Sequence, residues 1–281
     1  MTRSTALPDW TSLADLADEQ VPLLQCALLI AHDEYPDLDV DACEAQVESH
    51  VASLREEVDH IASEPLKMQA INHRLFDDLG YTGNHDEFYD PRNSYLNEVL
   101  NRRLGNPISL AVVQMEVARR LGLPLDGVSF PGRFLVRLPV DDGILVMDPF
   151  NRGRPLNADE LRQWARPHFG EDVPDEALIQ ILSPAPHRAI LMRMLRNLHA
   201  VYAEGGDWSR AVRCADRILH LIPDNADALR DRGLGYLELG HQAGARKDLG
   251  RYLQQNPEAS DVDAVRERLI DSADRRDGRL H

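Results

Sequence analysis

The sequence predicts an α+β protein: a helical N-terminal subdomain, a small antiparallel sheet packed with one buried helix, and an all-α repeat segment. Three observations carry this reading. Apolar residues recur at helical spacing through residues 10–80. After residue 121 come short β-branched runs, LDGVSF, RFLVRLPV and GILVMD, separated by Pro131-Gly132 and Asp141-Asp142-Gly143. Beyond residue 185 the chain matches itself at a fixed offset. The expected division is a helical subdomain over 1–93, a mixed core over 94–184 and repeats over 185–281, with Pro184-Ala185-Pro186 as the joint.

Within 10–80, SLADLADEQ, VPLLQCALLIAHDEY, DVDACEAQVESHVASLREEVDHIA and PLKMQAINHRLFDDLG read as four helices. Val47, Val51, Leu54, Val58 and Ile61 place one apolar stripe on the third. Pro65 suits the first turn of the fourth, where its missing N–H is not needed, and Gly80 closes it. The aromatic stretch YTGNHDEFYDPRN at 81–93 reads as an irregular loop, either packed on the core or part of a site.

A short helix over 94–104 ends at Gly105. Asn106 then supplies an N-cap and Pro107 a first-turn proline for a helix to about 121, apolar nearly all round and so buried on several sides. The three strands follow. A hairpin at Asp141-Asp142-Gly143 pairs Arg137 with Val146, sets Leu135 opposite Asp148 and puts Arg133 on the face of Asp148. Another helix starts near 157.

The internal repeat has a period of 34: Leu195 matches Leu229, Arg196 Arg230, Tyr202 Tyr236, Gly206 Gly240, Ala211 Ala245, Arg217 Arg251, Leu219 Leu253 and Pro223 Pro257. Its length, the small residue in the second helix and the closing proline resemble a tetratricopeptide repeat. The second copy has Gly233 where the first has His199. Residues 258–270 are then a capping helix and 271–281 a fraying tail.

Forty-seven acids against 31 bases give a formal charge of −16, which repels phosphate backbones and anionic lipid surfaces, so neither nucleic acid nor membrane is an expected partner. No apolar run reaches a bilayer span, and MTRSTALPDW lacks the apolar core of a signal peptide; a cytoplasmic location is expected. Cys26, Cys43 and Cys214 show no disulfide or metal spacing, and Cys26 and Cys214 lie on apolar helical faces. The histidines, His73, His199 and His220 among them, form no ligand cluster, and no phosphate loop is present, so no metal, nucleotide or other cofactor is expected. Arg102-Arg103 and Arg119-Arg120 read as solvated helix faces, although the arginines of the middle region leave it open to an anionic ligand or acidic partner.

The candidate site is Ser109, Arg133 and Asp148. Ser109 opens a helix, where the dipole and free amides favour a nucleophile or a bound anion. The segments NPISLA, SFPGRFLVR and MDPFNRG resemble the core of the papain-related, transglutaminase-like superfamily. The whole chain is similar to the bacterial family labelled regulator of sirC expression. The resemblance implies a triad in which Ser109 stands for the cysteine, Arg133 for the histidine and Asp148 for the aspartate. A serine needs an adjacent base, and arginine stays protonated to about pH 12 or above, so it is not one. Asp148, as a weak base, and His85, from the preceding loop, are the alternative bases.

Three readings follow. The first is a degenerate, inactive core used as a scaffold, with Ser109 packing at the helix start and Arg133 paired to Asp148, and with repeats presenting a groove to a protein or peptide; the resemblance adds an indirect regulatory effect on gene expression. The second is an acyl-transfer or amide-hydrolysing enzyme using Ser109. The third is a carboxylate or phosphate pocket at Ser109 and Arg133. Partner and oligomeric state stay open.

Overall fold

The computed structural model describes residues 6–277. Its contacts form two compact units: Ala17–Met194 with the residues up to Pro8, and Leu195 onward together with Asp9–Leu16.

In the first unit the order is α1 (Leu23–His32), α2 (Val40–Asp59), α3 (Glu64–Asn72), β1 (Thr82–Gly83), α4 (Leu96–Arg102), β2 (Leu104–Gly105) and α5 (Pro107–Arg120). There follow β3 (Asp126–Val128), β4 (Leu135–Val140), β5 (Gly143–Asp148), β6 (Arg154–Leu156), α6 (Ala158–Phe169) and α7 (Asp175–Ile181). The buried helix of the sequence reading is α5: every residue from Ile108 to Ala118 is buried. The sheet is antiparallel in the order β3-β4-β5-β6, and Arg137 pairs with Val146 as the hairpin reading required. Val128, Leu135, Val146 and Leu156 of the sheet bury against Leu161 and Ala165 of α6 and Leu178 of α7, while α5 also packs on β3 and β4. Apolar alternation on the strands thus gives the sheet a covered face, the usual requirement for burying a β layer.

Several elements differ from the sequence reading. SLADLADEQ forms two short 3-10 turns, Trp10–Asp15 and Asp18–Gln20, because Asp9 caps Thr11 and residues 16 and 17 are extended. The α3 pattern continues as a π-helical turn, His73–Asp78. Three strands were hidden: β6, β1 inside the presumed loop, and β2, which pairs in parallel with β1 where the helix over 94–104 was expected to end. Such two-residue ladders are held by tertiary packing and leave almost no local pattern.

Arg120 is not a solvated residue. Its Nε donates to Glu116 at 2.7 Å and Nη1 to Glu48 at 3.1 Å, and Nη2 binds Glu44, so α5 is tied to α2 through a half-buried ion cluster. Arg102 pairs with Asp90 at 3.5 Å, and Arg103 donates to the Leu79 carbonyl at 2.6 Å. Arg103 is nonetheless exposed, and Arg119, whose side chain is 67% exposed, also keeps the expected solvation while pairing with Glu116.

On α2, Val47, Val51, Leu54 and Val58 are buried as read, whereas Ile61 lies past the helix end. His50 shares that buried face, and its Nε2 lies 3.0 Å from the Tyr81 hydroxyl. Burial, with smaller contributions from Arg103 and Arg74, pushes its pKa down to about 4 from 6.5. Between those values the unfolded chain holds a proton that the folded chain does not, so stability falls as pH drops through the window, by roughly 3 kcal/mol in all, and is level below it. Urea midpoints at pH 7 and 4.5 should therefore differ less for His50→Gln than for the parent. Equal pH slopes for the two would reject the assignment.

In the second unit the helices are α8 (His187–Glu204, from Leu195), α9 (Trp208–Leu221), α10 (Ala226–Glu238), α11 (Gln242–Gln255) and α12 (Val262–Asp277). Successive pairs α9–α10, α10–α11 and α11–α12 pack together, as a repeat array requires. Ala211 and Ala245, one period apart, are fully buried. A Cβ at Gly233 would meet Leu249 Cγ at 2.6 Å, which is why a glycine stands there. Arg232 bridges Asp216 and Asp248, at 2.6 Å each. The turn Trp10–Asp15 belongs to this unit: it packs on α9, Leu13 is fully buried, and the Arg217 guanidinium lies 5.2 Å from the Trp10 ring centre. The expected tail from 271 is corrected as well, since α12 runs to Asp277; residues 278–281 lie outside the described residues.

All three cysteines are buried. Burial pushes the Cys26 thiol up to about 12 and the Cys43 thiol to about 11, leaving neither a thiolate near neutral pH.

Candidate functional site

Ser109 sits at the third position of α5, and the local sequence dictates its surroundings. The Asn106 side-chain oxygen accepts from the amides of Ile108 at 3.0 Å and Ser109 at 2.9 Å. Pro107 needs no partner for an N–H it lacks, so the amides that would face a bound anion are already used by the cap. The Ser109 Oγ donates to the Asn93 carbonyl at 2.6 Å and accepts from the Asn106 amide at 3.0 Å. Its side chain is fully buried. A Cβ at residue 105 would come within 2.7 Å of this oxygen, so Gly105 is required by close approach.

Around Ser109 the sequence reading missed a set of buried amides. Asn106 Nδ2 donates to Ser94 Oγ at 2.8 Å. Asn84 Nδ2 donates to Asn93 Oδ1 at 3.1 Å, and Asn93 Nδ2 donates to the carbonyl of Glu87 at 2.7 Å. Asn84, Asn93, Ser94 and Asn106 are all buried. These bonds close residues 84–93 into a compact loop whose base rests on Ser109, the form of an Ω-loop. The available signal was the recurrence of asparagine through 84–106, since that short amide mimics and satisfies backbone groups in turns.

Asp148, at the end of β5, is also buried. Its carboxylate accepts from the Phe150 amide at 3.0 Å, the Asn151 amide at 3.3 Å and Asn151 Nδ2 at 2.6 Å, capping a short 3-10 turn at Pro149–Asn151.

Arg133 departs from its expected place. The turn at Pro131-Gly132 runs on to it, with the Arg133 amide donating to the Phe130 carbonyl at 3.0 Å, and β4 begins only at Leu135. The side chain is exposed and lies 3.8 Å over the Trp164 ring of α6, a cation–π contact. The β4–β5 ladder ends at Val136 and Met147, so the register read from the sequence does not carry Arg133 to Asp148. Among the described residues no ion pair or hydrogen bond joins them, and the expected structural pair is corrected. His85 packs at a tilt against Phe150, with ring centres 4.5 Å apart and planes 59° apart.

A cleft of about 400 Å³ opens beside α1, α5 and β3, lined by Met115, Asp126 and His187; none of Ser109, Arg133 and Asp148 lines it. Among the described residues no group of three or more His, Cys, Asp or Glu is placed to hold a metal, and no helix is long and apolar enough to cross a membrane.

A family model described as the transglutaminase-like superfamily matches residues 41–196. The chain belongs to that superfamily. A tetratricopeptide-repeat model matches 198–270. This transglutaminase-like chain is 65% identical to a UPF0162 protein of Xylella fastidiosa, the alignment covering 98% of the chain and 99% of that relative. It is 32% identical to a UPF0162 protein of Pseudomonas aeruginosa over the same shares, and 25% identical to Protein SirB1 of Salmonella typhimurium over 92% of the chain and 95% of that relative. The transglutaminase-like core and the repeats, read from NPISLA, MDPFNRG and the 34-residue period, are thus each matched by a family model in this chain.

Proposed function

We propose that this transglutaminase-like protein is a non-catalytic cytoplasmic interaction protein with an indirect regulatory role. In this reading Ser109 holds a surface loop in place, and the repeats offer a further surface to a protein or peptide. The observation that carries it is the state of the Ser109 hydroxyl: buried, with its proton given to the Asn93 carbonyl and a lone pair taken by the Asn106 amide. Among the described residues its hydrogen-bond partners are backbone groups of Asn93 and Asn106, with no base among them, and the Asn106 side chain already takes the amides of Ile108 and Ser109. Attack on a carbonyl requires a base, and an oxyanion requires free amides. The Ser109–Arg133 anion pocket loses its cation to Trp164. The acidic charge favours contacts with proteins over nucleic acid.

Incubation of the full chain with a fluorophosphonate probe, followed by peptide mass mapping, tests the reading. No labelling of Ser109 is expected. Labelling that disappears in Ser109→Ala would restore the serine-hydrolase alternative.

A further inference from the structure

We propose that the 84–93 loop and Phe150 form an aromatic docking platform for a Lys- or Arg-bearing segment of another protein. The proposal rests on the reading of the core as a recognition domain. Phe88 and Tyr89 are 43% and 72% exposed, and their rings meet edge to face at 5.2 Å. Phe88 also packs edge-on against Phe150 at 5.6 Å, and His85 covers the same ring. These exposures come from a loop that is built, not loose. Asn93 fixes the carbonyls of Glu87 and Phe88, and Asn84 fixes the Glu87 amide, so the polar backbone points inward and the rings outward.

Both sides of the platform are braced by residues at the triad positions. Ser109 holds the Asn93 carbonyl at the base of the loop, and Asp148 caps the amide of Phe150. A Cβ at Gly83 would meet the Phe150 ring at 2.5 Å, so the chain under the ring is shaped to admit it. Two of the three triad positions thereby help to hold the ring platform, and rigid aromatic anchors are efficient contacts because they lose little entropy on binding.

Charge decides the partner. Asp86 and Glu87, both exposed, lie next to Phe88 and Tyr89 in a chain of net charge −16. The one cation within the loop, Arg92, is committed to Asp90 at 2.7 Å and lies 3.9 Å from Glu87. Burial pushes the Asp90 carboxyl up, but the hydrogen bonds and charges of Arg92 and Arg102 outweigh it and hold the group below its usual range. Open ring faces flanked by the Asp86 carboxylate and by Glu87, which meets Arg92 only at 3.9 Å, attract a guanidinium or ammonium by cation–π and Coulomb attraction together.

The test titrates N-acetyl-triarginine amide into the full-length protein and follows backbone amide resonances, with the uncharged citrulline isostere and N-acetyl-triproline amide as controls. Perturbations are expected to cluster at 85–90 and 150–151. Phe88→Ala and Tyr89→Ala, both at exposed positions, should each weaken binding by about two- to fivefold. Paired Asp86→Asn and Glu87→Gln changes should remove most of its salt dependence. Citrulline or proline peptides binding as well as arginine, or affinity unchanged in both ring variants, would overturn the proposal. If arginine fails while Ser109 stays unlabelled by fluorophosphonate, the basic partner alone is rejected; labelling of Ser109 would instead remove the reading on which the proposal rests.

Discussion

Arg120→Ala is expected to lower the unfolding free energy by about 3–5 kcal/mol, the cost of leaving buried carboxylates without their cation. The Arg120 side chain is 15% exposed, and its partners Glu44 and Glu116 are 14% and 8% exposed. Burial disfavours the Arg120 charge, yet the hydrogen bonds it donates to Glu44 and Glu116 prevail and hold it above its usual range. Glu116 retains Arg119, and Glu44 retains one hydrogen bond from Gln25 at 2.6 Å, so the loss falls mainly on Glu44. Glu48, at 54% exposure, adds little because solvent screens it. Urea unfolding measures the effect, and a loss under about 1 kcal/mol would show the cluster to be a surface ornament of α5.

Asn93→Ala should cost about 2–4 kcal/mol, because it removes several buried hydrogen bonds and leaves their partners dry. Its amide gives bonds to the carbonyls of Glu87 and Phe88 and takes one from Asn84. Hydrogen exchange should then quicken across 84–93, with α6 and α7 unaffected. Uniform quickening through the whole unit would mean that the loop is part of the global core and not a separately braced element.

The parts of this protein that were legible in sequence are those written locally. Asn106 and Pro107 announced α5, the Asp141-Asp142-Gly143 turn fixed the Arg137–Val146 register, and the 34-residue offset exposed the repeats. What escaped depends on distant partners. Arg120 looked solvated because two of the three carboxylates that bind it lie 72 and 76 residues earlier in the chain, on another helix. Arg133 looked like a strand residue because its alternating neighbours continue the pattern of β4, whereas the preceding turn and the Trp164 ring take it elsewhere. Asn93 carried no local signal of its tie to Ser109, since a carbonyl acceptor has no residue type. Two of the three triad-position residues do cap or close local backbone, Ser109 on Asn106 and Asp148 on Phe150, and that much is encoded within three residues of each.

The central claim is that Ser109 serves the fold. Nucleophiles held for chemistry are commonly kept at some cost to stability, so their removal leaves a protein as stable or more so. A structural hydroxyl behaves the opposite way. Equilibrium urea unfolding of the parent and Ser109→Ala decides between them: a loss of about 1–3 kcal/mol with an unchanged slope is predicted, from two buried hydrogen bonds broken at once. A variant as stable as the parent, or more stable, would contradict the account.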